Sequence, residues 1–136
     1  MGTVTAQKRC PCGSGETLAL CCGRYLTGLG EGRPAPTAEA LMRSRFTAFA
    51  LGDADHLRAT WDPSTRPAVL DLDDGLRWLH LRIDATAAGG PFDADGIVEF
   101  TAVYRGPGGR GELHEHSRFV RDGGRWFYLD GEFPAG

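Results

Sequence analysis

Lysine occurs once in this chain, at Lys8, and basic residues as a whole are outnumbered, with 15 Lys plus Arg against 18 Asp plus Glu and a formal charge of −3. A protein that grips nucleic acid by its phosphates needs a surplus of clustered cations. Nucleic acid is therefore not the expected partner, although Lys8, Arg9, Arg24 and Arg33 form one local basic patch. No apolar run approaches the ~20 residues that span a bilayer. Residues 1–9 lack the apolar core of a secretory leader, so a cytoplasmic protein with no membrane partner is expected. Serine elbow, catalytic triad, Walker motif and dinucleotide fingerprint are all missing. Gly28-Leu29-Gly30-Glu31-Gly32 lacks the spacing of a phosphate loop and reads as linker. Residues 23–136 contain no cysteine.

What is present starts with the four cysteines, all inside Cys10–Cys22. Disulfides are one reading, but a cytosolic chain is kept reduced and a Cys21–Cys22 bridge would be strained. An activated thiol is another, but it needs a partner base, and no histidine lies within thirty residues. A structural metal accounts for the pattern best. Two cysteine pairs offer four thiolates, a soft tetrahedral shell that suits one zinc ion per chain and leaves no position open for chemistry. The expected ligands are Cys10, Cys12, Cys21 and Cys22. Gly13-Ser14-Gly15 between the pairs can supply backbone amides to the excess negative charge, with Lys8, Arg9 and Arg24 flanking it.

Cys10-Pro11-Cys12-Gly13-Ser14-Gly15 followed by Cys21-Cys22-Gly23 resembles the SEC-C motif, a short zinc-binding module that serves partner contact in the preprotein translocase ATPase. Thr37-Ala38-Glu39-Ala40-Leu41-Met42-Arg43-Ser44-Arg45-Phe46, Thr60-Trp61-Asp62-Pro63-Ser64-Thr65-Arg66-Pro67, Leu113-His114-Glu115, Ser117-Arg118-Phe119 and Gly124-Arg125-Trp126 resemble the YchJ family of small bacterial proteins. The resemblance covers nearly the whole chain. It implies an N-terminal SEC-C zinc segment followed by a domain similar to nuclear transport factor 2, and no particular activity.

The chain divides into a metal segment (1–23), a Gly- and Pro-rich linker (24–36) and a main domain (37–136). A helix is expected from Thr37 to Gly52 with an apolar stripe of Leu41, Phe46 and Phe49. A second, capped by Asp53, should run to Trp61, and residues 73–79 read as a short helix or turn. Alternation at Leu79, Leu81 and Ile83 marks a strand. Strands over 97–104 and 112–122 should pair through a turn at Gly106–Gly111, and a Gly123-Gly124 hairpin leads into a last strand over 125–130. Helices followed by antiparallel strands make an α+β fold. A cone of curved sheet around helices fits this order.

Glu99 interrupts an otherwise apolar strand, where a charge needs a partner, and Arg118 or Arg45 is expected to supply it. A hairpin folded about residues 108–109 sets Glu99 opposite Arg118. The concave face of the sheet should hold a pocket bordered by Trp61, Glu99 and one or more of Glu115, Ser117 and Arg118. His114 and His116 share a strand face, His56 and His80 stand alone, and Arg43, Arg45, Arg58 and Arg66 read as a mixed-charge surface. The expected function is a non-enzymatic binding or adaptor module with a structural zinc, taking a protein partner or a small ligand. Two alternatives stand beside it. One is a small-molecule enzyme of isomerase, dehydratase or hydrolase type with Glu99 or Glu115 as base. The other is a nucleic-acid-binding zinc module.

Overall fold

Thr37 supplies the first signal that the backbone obeys. Its side-chain oxygen accepts from Ala40 N at 3.0 Å, so helix α1 starts at Ala38, and Glu39 sits in the first turn where the helix dipole favours it. α1 spans Ala38–Leu51 and ends at Gly52, in the left-handed conformation with φ +77°. Asp53 then accepts from His56 N at 3.1 Å and caps α2, Ala54–Ala59. Four strands follow: β1 Arg77–Ala88, β2 Asp95–Gly106, β3 Gly109–Asp122 and β4 Arg125–Glu132. They form one antiparallel sheet in sequence order. The structure is a computed structural model that describes residues 8–26, 33–70, 72 and 75–132.

Two-residue turns set the sheet's register. Pro107-Gly108 joins β2 to β3, and Gly123-Gly124 joins β3 to β4 with both φ positive (+61° and +81°), the twist a tight hairpin requires. At the other end of β2 there is no room for a side chain. A Cβ on Gly96 would lie 2.4 Å from the Gly89 Cα, and Gly89 O accepts from Ala38 N at 3.0 Å, tying the start of α1 to the sheet. Irregularities in register at Trp78/His80, Ile83/Ala85 and Arg118/Phe119 bend the strands.

The two helices lie against one face of this curved sheet. Val98, Phe100, Ala102, Phe119 and Trp126 from the strands pack with Ala38, Leu41, Met42 and Phe46 of α1. A second buried cluster joins the cysteines to Leu18, Leu26, Ala48 and Leu57. The α+β architecture is the one expected, with differences of detail. α2 ends at Ala59 rather than at Trp61, which instead forms a bridge to Tyr128 of β4. Arg77–Leu79 belong to β1 rather than to a third helix or turn, while Asp73 and Asp74 lie outside the described residues. β2 and β3 run further into their hairpin, because two residues suffice to turn it. Within the expected linker, Tyr25, Leu26 and Ala35 are buried in the two clusters; residues 27–32, including the Gly28–Gly32 stretch, lie outside the described residues. No described helix is long and apolar enough to cross a membrane.

Candidate metal centre and cavity

Cys10 and Cys12 flank the tight turn at Pro11, closed by Gly13 N donating to Cys10 O at 3.2 Å. Residues 9 and 17 form a short bridge, and two 3-10 turns follow, Leu18–Leu20 and Cys22–Arg24. Gly23 lets those turns touch, since a Cβ there would sit 2.5 Å from Leu18 O. This folding brings all four cysteines together, buried, with their sulfurs within 4.8 Å of one another and Cys12 and Cys21 at 3.5 Å. A tetrahedral ion with Zn–S bonds of about 2.3 Å places its sulfurs about 3.8 Å apart. The donor set, four soft sulfurs, fits such an ion.

Protein groups close the outside of the cluster. Ser14 Oγ donates to Cys21 Sγ at 3.1 Å, Thr47 Oγ1 lies 3.5 Å from Cys10 Sγ, and Arg43 Nη1 donates to Cys12 O at 3.1 Å and reaches Cys12 Sγ at 3.9 Å. Arg43 is held there by Glu39, one turn earlier, at 3.0 Å. Proton sharing among the thiols holds Cys10 down, at about 3, through hydrogen bonds from Cys12 and then Cys22. Cys22 is pushed up by its bonds to the same neighbours. A dication among them deprotonates coordinating thiols outright. Two of the flanking cations named from sequence are engaged nearby: Arg9 donates to Gly15 O and Arg24 to Cys21 O. The thiols themselves are reached by Arg43, Thr47 and Ser14. Arg43 and Thr47 were invisible in the motif because they come from α1, one turn apart on one face, more than twenty residues away.

The second site lies between α1 and the sheet. A cavity of about 190 Å³, room for roughly six water molecules, is walled by Met42, Phe46, Phe49, Trp78, Phe100, Ala102 and Leu113. Its polar groups are Arg45, Trp61, Glu115 and Tyr128. Trp61 is fixed by a short parallel bridge to β4, with Asp62 N donating to Tyr128 O and Tyr128 N donating to Thr60 O, both at 2.8 Å. The guanidinium of Arg45 stacks on Trp61 at 5.0 Å and on Tyr128 at 4.6 Å, and its Nη1 donates to Leu57 O and Thr60 Oγ1. Only 3% of Arg45 is exposed, which corrects its expected place on a mixed-charge surface. Burial lowers its pKa to about 10, so it stays charged at neutral pH. None of the ion pairs among the described residues includes it. Glu115 Oε2 accepts from Ser117 Oγ at 2.5 Å and Tyr128 Oη at 3.3 Å, and burial pushes the Tyr128 phenol up, keeping it a donor. Gly131 makes space for this carboxylate, as a Cβ there would lie 2.3 Å from Oε2. The indole Nε1 of Trp61 is buried without a partner among the described residues, an arrangement that costs about 1–3 kcal/mol.

Of the residues expected to border a pocket, Trp61 and Glu115 line this cavity, and Ser117 is buried behind Glu115. Glu99 and Arg118 do not. The shorter hairpin pairs Glu99 with His116 and Ile97 with Arg118. Both side chains lie on the outer face, because they alternate with the buried Val98, Phe100, Ser117 and Phe119. There Glu99 Oε2 bonds His114 Nε2 at 2.7 Å, and Arg118 makes a two-bond pair with Asp130 at 2.7 and 2.5 Å. The expected Glu99–Arg118 pair is thus replaced by two others, and Arg45 is not Glu99's partner either. Asp84, exposed, and Glu99 and His114, both half-buried, form a small group in which the Arg82 guanidinium holds the Asp84 carboxyl below the usual carboxylate range.

With this geometry established, comparison with known proteins is decisive. Residues 37–131 match the family model of the YchJ middle NTF2-like domain, and residues 8–24 match the SEC-C motif. The chain belongs to the YchJ (UPF0225) family. A UPF0225 protein of Streptomyces coelicolor is 56% identical over 124 residues, which is 91% of this chain and 94% of that one. Another from Chromobacterium violaceum is 51% identical over 129 residues, 93% of each. The solution structure of a SEC-C motif containing protein from Rhodopseudomonas palustris superposes with a TM-score of 0.79 at 38% identity, covering 93% of this chain and 98% of that one. A SEC-C motif containing protein from Psychrobacter arcticus does so at 0.75 and 26% identity, covering 96% and 85%. In the YchJ chain, then, the cysteine cluster falls within the SEC-C match and the cavity within the NTF2-like match.

Proposed function

We propose that this YchJ protein is a non-enzymatic binding protein, stapled by one structural zinc on Cys10, Cys12, Cys21 and Cys22, with the cavity between α1 and the sheet as the place where a small ligand is held. The observation that carries the reading is the enclosure of four buried sulfurs by Ser14, Thr47 and Arg43. Four thiolates saturate a tetrahedral ion, and such a site supplies folding energy rather than a position for substrate. The cavity supports the second half: it is apolar with a few convergent polar groups, the usual make-up of a ligand site. Glu99, one of the two carboxylates considered as a base, faces away from it.

Metal analysis of protein purified under reducing conditions should give one zinc per chain. Cobalt substituted for it should show a tetrahedral all-thiolate spectrum that added azide leaves unchanged. A metal-free chain would remove the staple, and a spectrum that responds to azide would indicate an open, catalytic coordination position.

A further inference from the structure

The cavity's polar end has a charge pattern of its own. Tyr128 links its two sides: Arg45 stacks on the ring, and the hydroxyl donates to Glu115. A cation over the face of the ring and an anion at its hydroxyl thus border one apolar space, together with an indole N–H that has no acceptor among the described residues. Arg45 has a structural task through Nη1, which holds the end of α2. That task leaves the Trp61 Nε1 and the empty volume unexplained.

Three ligand classes can be weighed. A hydrocarbon fills the volume and leaves the indole N–H unpaired, which is costly in a buried place. A monoanion meets Arg45 but adds a second negative charge beside Glu115 in a site of low dielectric. A neutral molecule with an acceptor and a donor on one edge satisfies both ends and keeps the cavity electroneutral. We infer that the cavity of this protein binds a small, neutral, planar amide or lactam, whose carbonyl accepts from Trp61 Nε1 and Arg45 and whose N–H donates to Glu115. This inference rests on the cavity being a ligand site.

The test is an NMR titration of the full chain as purified, with benzamide, benzoate and toluene as size-matched probes, read in every variant at the methyl resonances of Met42 and Leu113 in the cavity wall and, where the group is present, at the Trp61 indole N–H resonance. Benzamide should shift that resonance in a saturable way and bind at least fivefold tighter than either other probe. Trp61→Phe, which keeps a ring and removes the N–H, should weaken benzamide at least fivefold and leave toluene unchanged. Glu115→Gln should shrink the preference of benzamide over benzoate by a similar factor. Benzoate binding as tightly as benzamide would overturn the inference in favour of an anion site. Toluene binding as tightly would overturn it while leaving the ligand cavity standing. Binding of none of the three would remove both.

Discussion

On α1, Ser44, Arg45 and Thr47 are buried and Arg43 is half-buried, and each has a bond that accounts for its place. Arg43 reaches a thiol directly, with Nη1 3.9 Å from Cys12 Sγ. Groups that hydrogen-bond metal ligands commonly change affinity by 10–100-fold when removed, so Arg43→Met should weaken zinc at least tenfold in a chelator competition, and an unchanged affinity would place Arg43 outside the metal's influence. Ser44 Oγ donates to Leu41 O and lies 2.9 Å from His56 Nε2, so the serine accepts from His56, which fixes the Nε2–H tautomer. Burial lowers the His56 pKa to about 4. Between pH 6.5 and 4 the unfolded chain binds a proton here that the folded chain refuses, so stability falls on acidification through that window, by on the order of 3 kcal/mol, and this contribution is fully present at pH 7. An NMR titration should find the His56 ring neutral until about pH 4, and a midpoint near 6.5 would contradict its burial. Little of this was legible in sequence. Arginine, serine and threonine in a helix read as surface residues, and only the partners brought by α2, the cysteine turn and β4 make their burial affordable.

At the level of elements, the sequence was more explicit. Thr37, Gly52 and Asp53 marked the helix boundaries to within a residue because caps are local chemistry, and Gly123-Gly124 marked a hairpin for the same reason. The register of β2 against β3 was not legible to the same degree. Several glycines and a proline stand between the strands, and choosing the wrong pair as the turn displaced Glu99 by two residues, from His116 to Arg118. The cavity was half legible for another reason: Trp61 and Glu115 stand out in the sequence, whereas Arg45, Tyr128 and the aromatic wall depend on how α1 and β4 meet. Gly96 tests the packing at the far end of β2. A Cβ there would press on Gly89 and Ala38, so Gly96→Ala should destabilise the fold by about 1–3 kcal/mol, the usual range for overpacking. Gly108, whose Cβ would meet open space, should tolerate alanine with a change within about 0.5 kcal/mol. Urea melts of the two variants compare them directly, and equal effects would mean that the β1–β2 junction yields more readily than its spacing implies.

For the molecule as a whole, the cysteine segment and the main domain share a core. Cys10, Cys12, Cys21 and Cys22 pack with Leu18, Leu26, Ala48 and Leu57, so the sulfurs are joined to α1 and α2 and not carried on a free arm. A segment this short buries too little apolar surface to order itself, and on the proposed zinc site the metal would supply the difference. Cys12→Ser should therefore disorder residues 8–26 and also lower the melting temperature of the main domain, by several degrees if the lost packing is worth 1–2 kcal/mol, while the sheet still unfolds cooperatively. The central claim, that zinc staples this segment onto the helices, is tested most directly by amide hydrogen exchange on the full chain before and after zinc is removed by a chelator under reducing conditions. The account predicts that protection is lost across 8–26 and reduced in the parts of α1 and α2 that face the cysteines, with β2 and β3 still protected. Unchanged protection in α1 and α2, or an equal loss throughout the sheet, would contradict it.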